Sequence, residues 1–265
     1  MDRLVLAYSG GPSSSIAIPW LREQQRMDVV TVSVDLGQPE SLEGIRVRAL
    51  ASGAARAHVL DWRAVFARDY VLPAVQSGLD VADAETFTVI GRPLIAKALV
   101  EIAHIEGATV VAHAETDATA AAEIEAAVHA IDPRLRVINA TDRWSFDRTS
   151  MAGYARERGI PFAVSDVADA APVAVVVRPA SADRSVSIEI EFRAGVPCKI
   201  NGIEMDLVEL MTSLDTIAGA EGVPGSAVLS AGYAALRQRI PAGEATGAER
   251  VRLVNGACEV VTSVS

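Results

Sequence analysis

Cysteine is scarce. Cys198 and Cys258 are the only two in 265 residues. They lack metal-type spacing and cannot build a disulfide framework, so both are expected to be reduced in a cytoplasmic protein. Basic residues are outnumbered, 24 Lys and Arg against 34 Asp and Glu, for a formal net charge of −10. A surface of that sign cannot displace counterions from a phosphate backbone, which argues against nucleic acid as a partner. No uninterrupted apolar run reaches the ~20 residues of a membrane helix, so no membrane partner is expected. The opening MDRLVLAYSGG enters a strand without a signal-type core. Internal repeats and disorder-prone low-complexity tracts are also missing. What remains is ordinary globular material: 50% hydrophobic and 22% charged residues, long enough for one large domain or two modest ones.

Leu4–Tyr8 is a short continuous apolar run, as expected of a parallel strand buried on both faces. Further strands are expected over 28–37, 57–61, 108–113 and 135–140. Helices are expected over 13–25, 41–52, 62–77, 92–106, 118–131 and 150–158, with Pro19 in the early turns of the first and a loop over 78–91. Strands alternating with helices predict an open parallel sheet with helices on both faces, which binds ligands at the carboxyl ends of its strands. Composition then shifts. Residues 165–185 form an Ala/Val/Pro/Asp connector. Val186, Ile188, Ile190 and Phe192 alternate with polar residues, as a half-exposed strand would. A short return strand follows, then an amphipathic helix over 206–218 and a hairpin around Asn255-Gly256. The expected division is 1–165 for the nucleotide-binding part, 166–185 for the connector and 186–265 for a small α+β part.

The stretch Ser9–Ser15, SGGPSSS, sits between the first strand and the first helix. A Gly-Gly pair lets the backbone turn sharply and approach a ligand. Backbone N–H groups at the helix start favour an anion, and Ser9, Ser13, Ser14 and Ser15 add hydroxyls. No lysine follows, so this is not the P-loop pattern. Taken alone, the stretch is read equally well as a serine-capped tight turn.

LAYSGGPSSSIAIPWL, VVTVSVDLGQPESLEGIRVRALASGA, GRPLIAKALVEIAHIEGATVVAH and VSIEIEFRAGVPCKINGIEMDLVELMTSLDTIAGAEGV together resemble, in order, the argininosuccinate synthase family of N-type ATP pyrophosphatases. The resemblance covers most of the chain. It implies an adenine nucleotide alpha hydrolase-like sheet followed by a truncated synthetase-like domain. It also implies ATP and Mg²⁺ as cofactors and a small-molecule substrate, an amino acid in the family. Carried over position by position, it puts nucleotide binding at Ala7, Tyr8, Ser9, Gly10, Gly11, Ser13, Ser14, Ser15, Val34, Asp35, His113 and Thr116. Substrate contacts fall on Thr88 and Arg92. No catalytic residue and no metal ligand is assigned.

The sequence also departs from the family pattern. Ser13 stands where the loop carries an acid, and Ala84 and Val89 replace the tyrosine and serine of the citrulline loop. The glycine-rich aspartate loop reads HAETDATAAAEIE, His113–Glu125. Alanines there favour helix over a carboxylate-wrapping loop, and Glu115, Asp117 and Glu123 would repel an anionic substrate. A long inner part of the second domain is missing between Val223 and Ala245. The expectation is an ATP-dependent ligase that adenylates a small substrate and releases pyrophosphate, with citrulline and aspartate doubtful as substrates. The alternative is a catalytically inactive homologue that binds a nucleotide or a protein partner. Homo- or hetero-oligomerisation is left open. Without a ligand, His113 reads as a hydrogen-bonded strand-end histidine, Arg92 as an ion-pair or helix-start residue, and Asp35 as a cap.

Overall fold

The computed structural model describes residues 2–38, 42–144, 148–161, 185–241, 244–254 and 256–261. The expected connector, 165–185, lies outside these except for Ser185, and so does Asn255 of the hairpin turn. Residues 2–62 and 91–161 form one compact unit. Residues 63–90 form a second with the described residues beyond 184.

The first unit is built on five parallel strands in the order β3-β2-β1-β4-β5. These are β1 (Arg3–Ala7), β2 (Asp28–Asp35), β3 (Arg56–Asp61), β4 (Val110–His113) and β5 (Arg136–Asn139). The apolar run of β1 is explained by its neighbours on both faces. Leu4 and Leu6 pack with Ile18 and Leu21 of helix α1 (Pro12–Gln25) and with Ile45 of helix α2 (Leu42–Ala51). Val5, between them, packs with Leu99 and Ile102 of α5 (Ala84–Glu106) and with Ile124 of α6 (Ala118–Ile131). Successive strand residues point to opposite faces, so a strand covered on both sides must be apolar throughout. Helix α7 (Arg148–Arg158) adds Ala155 against Ile16 of α1. Pro19 lies in the middle of α1 rather than in its early turns. It leaves one interior carbonyl without its usual N–H partner.

The second unit holds helices α3 (Arg63–Phe66) and α4 (Leu72–Ser77), joined by a π-helical turn at Ala67–Val71. The expected single helix over 62–77 is therefore interrupted just before Pro73. Proline offers no N–H and crowds the carbonyl four residues back, and a wider turn relieves both problems. An antiparallel sheet follows in the order β10-β9-β6-β7-β8. Its strands are β6 (Val186–Arg193), β7 (Val196–Ile200), β8 (Ile203–Glu204), β9 (Gly247–Val254) and β10 (Ala257–Val261). Ile188, Ile190 and Phe192 are buried while their neighbours are not, as the alternation required.

Helix α8 (Leu207–Gly219) carries a capping box between Asp206 and Glu209. Helix α9 (Gly225–Arg239), which the sequence reading lacked, packs on α8 and on β9. It buries Val228, Leu229, Tyr233 and Leu236. These positions recur at helical spacing, but glycine, serine and alanine between them blur the stripe. The expected loop over 78–91 is also mostly helix. Asp83 accepts from the Thr86 backbone N–H at 2.8 Å and from its hydroxyl at 3.0 Å, so α5 starts at Ala84 and runs through Gly91 and Pro93.

Candidate functional site

At the carboxyl end of the parallel sheet, β1 is clamped to β2. The Tyr8 N–H donates to the Val32 carbonyl at 2.9 Å, and the Ser33 hydroxyl donates to the Tyr8 carbonyl at 2.7 Å. The chain then turns at Gly10, whose φ is 84°. A side chain there would meet left-handed backbone strain. Gly11 is the N-cap of α1, and no side chain caps the helix. Pro12 takes the first helical position, which suits its fixed φ but supplies no N–H.

The loop hydroxyls divide by role. Tyr8 and Ser15 share a buried hydrogen bond of 2.9 Å. Ser14 donates to the Gly11 carbonyl at 3.1 Å and lies 3.2 Å from the Ser9 hydroxyl. Ser9 is exposed and Ser13 half-buried. Arg48 of α2 donates from Nη1 to the Gly10 carbonyl at 2.8 Å, fixing the peptide between the two glycines. Arg48 and Ser33 shape the loop from other elements, and nothing in the local sequence marked either.

At the end of β2, Asp35 is buried. Its Oδ1 accepts from the Gly37 N–H at 2.8 Å. The Gln38 side chain accepts from the Leu36 N–H at 2.8 Å and donates to the Val34 carbonyl at 2.9 Å. The Asp-Leu-Gly-Gln turn is thus self-closed, and Val34 and Asp35 stand beside the end of β1 through the β1–β2 pairing.

His113 ends β4, which pairs directly with β1. Strand order reverses between these two neighbours, making this a switch-point crevice. The imidazole is 1% exposed. Burial pushes its pKa down, against the opposing charges of Glu125 and Asp142. Its Nδ1 accepts from the Glu115 N–H at 3.4 Å, and its Nε2 lies 3.6 Å from Glu125 Oε1. Thr116 is exposed. Asp117 caps α6 by accepting from the Ala120 N–H at 2.8 Å, so the stretch after Asp117 is helix, as its alanines implied.

Around this end, Asn139 donates to the Glu115 carbonyl at 3.1 Å and to Asp142 Oδ1 at 2.8 Å, and the Thr141 hydroxyl also donates to the Glu115 carbonyl. Burial pushes the Glu115 carboxyl up; Asp117 adds to this and Arg92 opposes it. Arg92 is ion-paired with Glu123. Thr88 lies on the part of α5 that belongs to the second unit.

A nucleotide fits the first-unit arrangement in kind. An uncapped helix start follows a left-handed glycine at a switch point, beside the strand that ends at the buried His113. Among the described residues no group of three or more His, Cys, Asp or Glu could hold a metal ion.

The profile described as "Arginosuccinate synthase N-terminal HUP domain" matches residues 3–161, and that of the "Arginosuccinate synthase C-terminal domain" matches residues 144–239. Argininosuccinate synthase of Thermoanaerobacter sp. (strain X514) is 34% identical over 256 residues, which cover 84% of this chain and 61% of that protein. The Pelotomaculum thermopropionicum protein of the same name is 36% identical over 252 residues, covering 84% and 63%. That of Dictyoglomus turgidum is 36% identical over 247 residues, covering 84% and 62%. The chain thus spans under two thirds of the length of these relatives.

Proposed function

The chain belongs to the argininosuccinate synthase family, and from that premise we propose that it is an ATP-dependent ligase that adenylates a small substrate and releases pyrophosphate. The observation that carries this reading is the β1–α1 turn. Gly10 is left-handed, α1 begins without a side-chain cap, and both lie beside β4 at the reversal of strand order. Backbone N–H groups there favour anionic oxygens. The Ser9 hydroxyl, exposed but bonded to Ser14 at 3.2 Å and accepting from the Gly11 N–H at 3.4 Å, and the half-buried Ser13 hydroxyl are the two in the loop nearest to solvent. Val34 and Asp35 would lie along the adenosine, and His113 and Thr116 along the far side of the phosphates.

ATP supplies the adenylyl group and the pyrophosphate leaving group, with Mg²⁺ carried on the phosphates. The protein's part is to orient the triphosphate and hold the acceptor oxygen in line. A cytoplasmic setting, with both cysteines free, goes with this reading.

Citrulline and aspartate are not the proposed substrate pair. Asp117 commits the former aspartate loop to helix. Arg92, a residue retained from the citrulline loop, is already paired with Glu123. The inactive alternative draws on a different observation: Pro12 removes one N–H from the helix start, and Ser13 offers a hydroxyl where the family has a carboxylate.

Calorimetric titration with ATP, with and without Mg²⁺, separates the two, followed by a screen for AMP and pyrophosphate across ureido and amine substrates. Micromolar binding with AMP release is the expected result. Binding without AMP formation from any such substrate would leave the inactive reading, and absence of binding would refute both nucleotide readings.

A further inference from the structure

The peptide between Gly10 and Gly11 has no Cβ on either side. Gly10 is left-handed at φ 84°, and Gly11 has φ −75°. With two glycines flanking it, this peptide can turn over, because ψ of Gly10 and φ of Gly11 both reach regions closed to other residues. In a trans peptide the C=O and the N–H point in opposite directions. One orientation therefore shows an anion the Gly11 N–H, and the other shows it the Gly10 carbonyl oxygen. The choice carries weight in this loop, since Pro12 supplies no N–H to the helix start.

Arg48 selects the first orientation. Its Nη1 donates to the Gly10 carbonyl at 2.8 Å. The Gly11 N–H then lies on the opposite side, 3.4 Å from the Ser9 hydroxyl oxygen. That is a long bond, which a phosphate oxygen can replace with a shorter one. Ser9 is exposed, so this side of the peptide is open to a ligand. Arg48 is itself held in place. It is half-buried in the last turn of α2. Its carbonyl accepts from the Ser52 N–H at 2.9 Å and from the Ser52 hydroxyl at 2.8 Å. Ile45 and Ala49 fix the same helix in the core that contains Leu4 and Leu6 of β1.

We propose that Arg48 is a positioning residue for the triphosphate. It acts through the loop: by holding the Gly10 carbonyl it keeps the Gly11 N–H turned to the phosphates and keeps a repelling carbonyl oxygen away from them. The inference rests on the phosphate-loop reading above.

The test uses the full-length chain labelled with isotopic glycine, with the Gly10 and Gly11 amide signals assigned by NMR through Gly10→Asn and Gly11→Ala. Arg48→Met keeps the apolar stem and removes every donor. Without ligand, the parent is expected to show one sharp Gly11 signal, and Arg48→Met a doubled or exchange-broadened one. Adding Gly11→Ala to Arg48→Met is expected to restore a single Gly10 signal, because alanine avoids the positive φ that the turned peptide needs. By calorimetry, Arg48→Met is expected to bind ATP roughly tenfold more weakly than the parent, the scale of one hydrogen bond from a charged group. Arg48→Lys keeps a charged donor and is expected to stay closer to the parent than to Arg48→Met. Should Arg48→Met fail to fold, Arg48→Gln is read in its place against the same outcomes. A merely structural arginine would lower the melting midpoint but leave the Gly11 signal and the ATP affinity of the folded protein unchanged, and that result overturns the proposal. A parent that binds no ATP refutes the phosphate-loop reading and the role with it, whereas ATP binding that survives loss of the arginine refutes only the role of Arg48.

Discussion

Gly10 offers the sharpest test of the phosphate loop, through a matched pair of substitutions. At φ 84° any Cβ carries left-handed strain, about 1–2 kcal/mol for most residues and less for Asn and Asp, which visit that region most readily. Gly10→Asn and Gly10→Asp therefore share nearly the same backbone cost and differ by one charge. A carboxylate about 4 Å from a phosphate charge costs about 4 kcal/mol at an effective dielectric of 20. Gly10 itself is buried, but Ser9 is exposed and Gly11 to Ser13 are half-buried, so a side chain at this position reaches solvent, which with magnesium on the phosphates reduces this by roughly half, to about 2 kcal/mol. That is a ratio of about 30 in Kd for ATP between the two variants. Both should melt within a few degrees of the parent, because each kcal/mol moves the midpoint by about 2–4 °C in a chain of this size. Calorimetry with ATP and a thermal melt on each variant give the comparison. Equal ATP affinity for the Asn and Asp forms would mean that no phosphate lies near Gly10, and the reasoning would fail.

Three further outcomes are expected. Ser13→Asp places a carboxylate in the first turn of α1, so the melting midpoint should rise by the equivalent of about 0.3–1 kcal/mol; if the site is live, Mg²⁺ should also strengthen ATP binding more than in the parent. Glu106 is buried, which raises its carboxyl, but hydrogen bonds from His58 and Arg56 and the charges of Arg56 and Arg3 outweigh this and hold it below its ordinary 4.5. A depressed carboxyl contributes stability above its unfolded value and loses it as pH falls through the folded one, so Glu106→Gln should lower the melting midpoint at pH 7 and leave a flatter acid limb below about pH 4.5. A Cβ on Gly225 would stand 2.5 Å from the Asp215 backbone nitrogen and from its Oδ1, so Gly225→Ala should destabilise the protein by about 1–3 kcal/mol in chemical denaturation; an unchanged midpoint would contradict the packing of α9 on α8.

Legibility in the sequence followed the range of the interaction that fixes each feature. The β1 run, the alternation in β6 and the apolar stripe of α8 are each written in a few neighbouring residues and are legible in the sequence; the Asp206–Glu209 capping box, equally local, was missed. The start of α5 was missed although Asp83 is a good cap. Gly91 looked like the end of a loop, and only burial of Leu99 and Ile102 against the sheet makes a continuous helix through it worth its local cost. Helix α9 was missed for a related reason: its small residues are poor pattern but good packing, as where Gly232 lies against Ile190 and Phe192.

The same division holds at the candidate site. The sequence alone determined a glycine turn between a buried strand and a helix, the Asp-Leu-Gly-Gln turn, and the loss of glycines after His113, because these depend on backbone freedom and local propensity. Tertiary structure decided which hydroxyls of SGGPSSS are committed and which remain. It aimed Arg48 at the Gly10 carbonyl and placed Ser33 beneath Tyr8. It buried His113 with its Nε2 facing Glu125. The Arg48 and Ser33 contacts join residues far apart in the chain at 2.8 and 2.7 Å, and the hydroxyl pairings within the loop depend on side-chain directions that only the folded turn sets, so no local pattern encodes either.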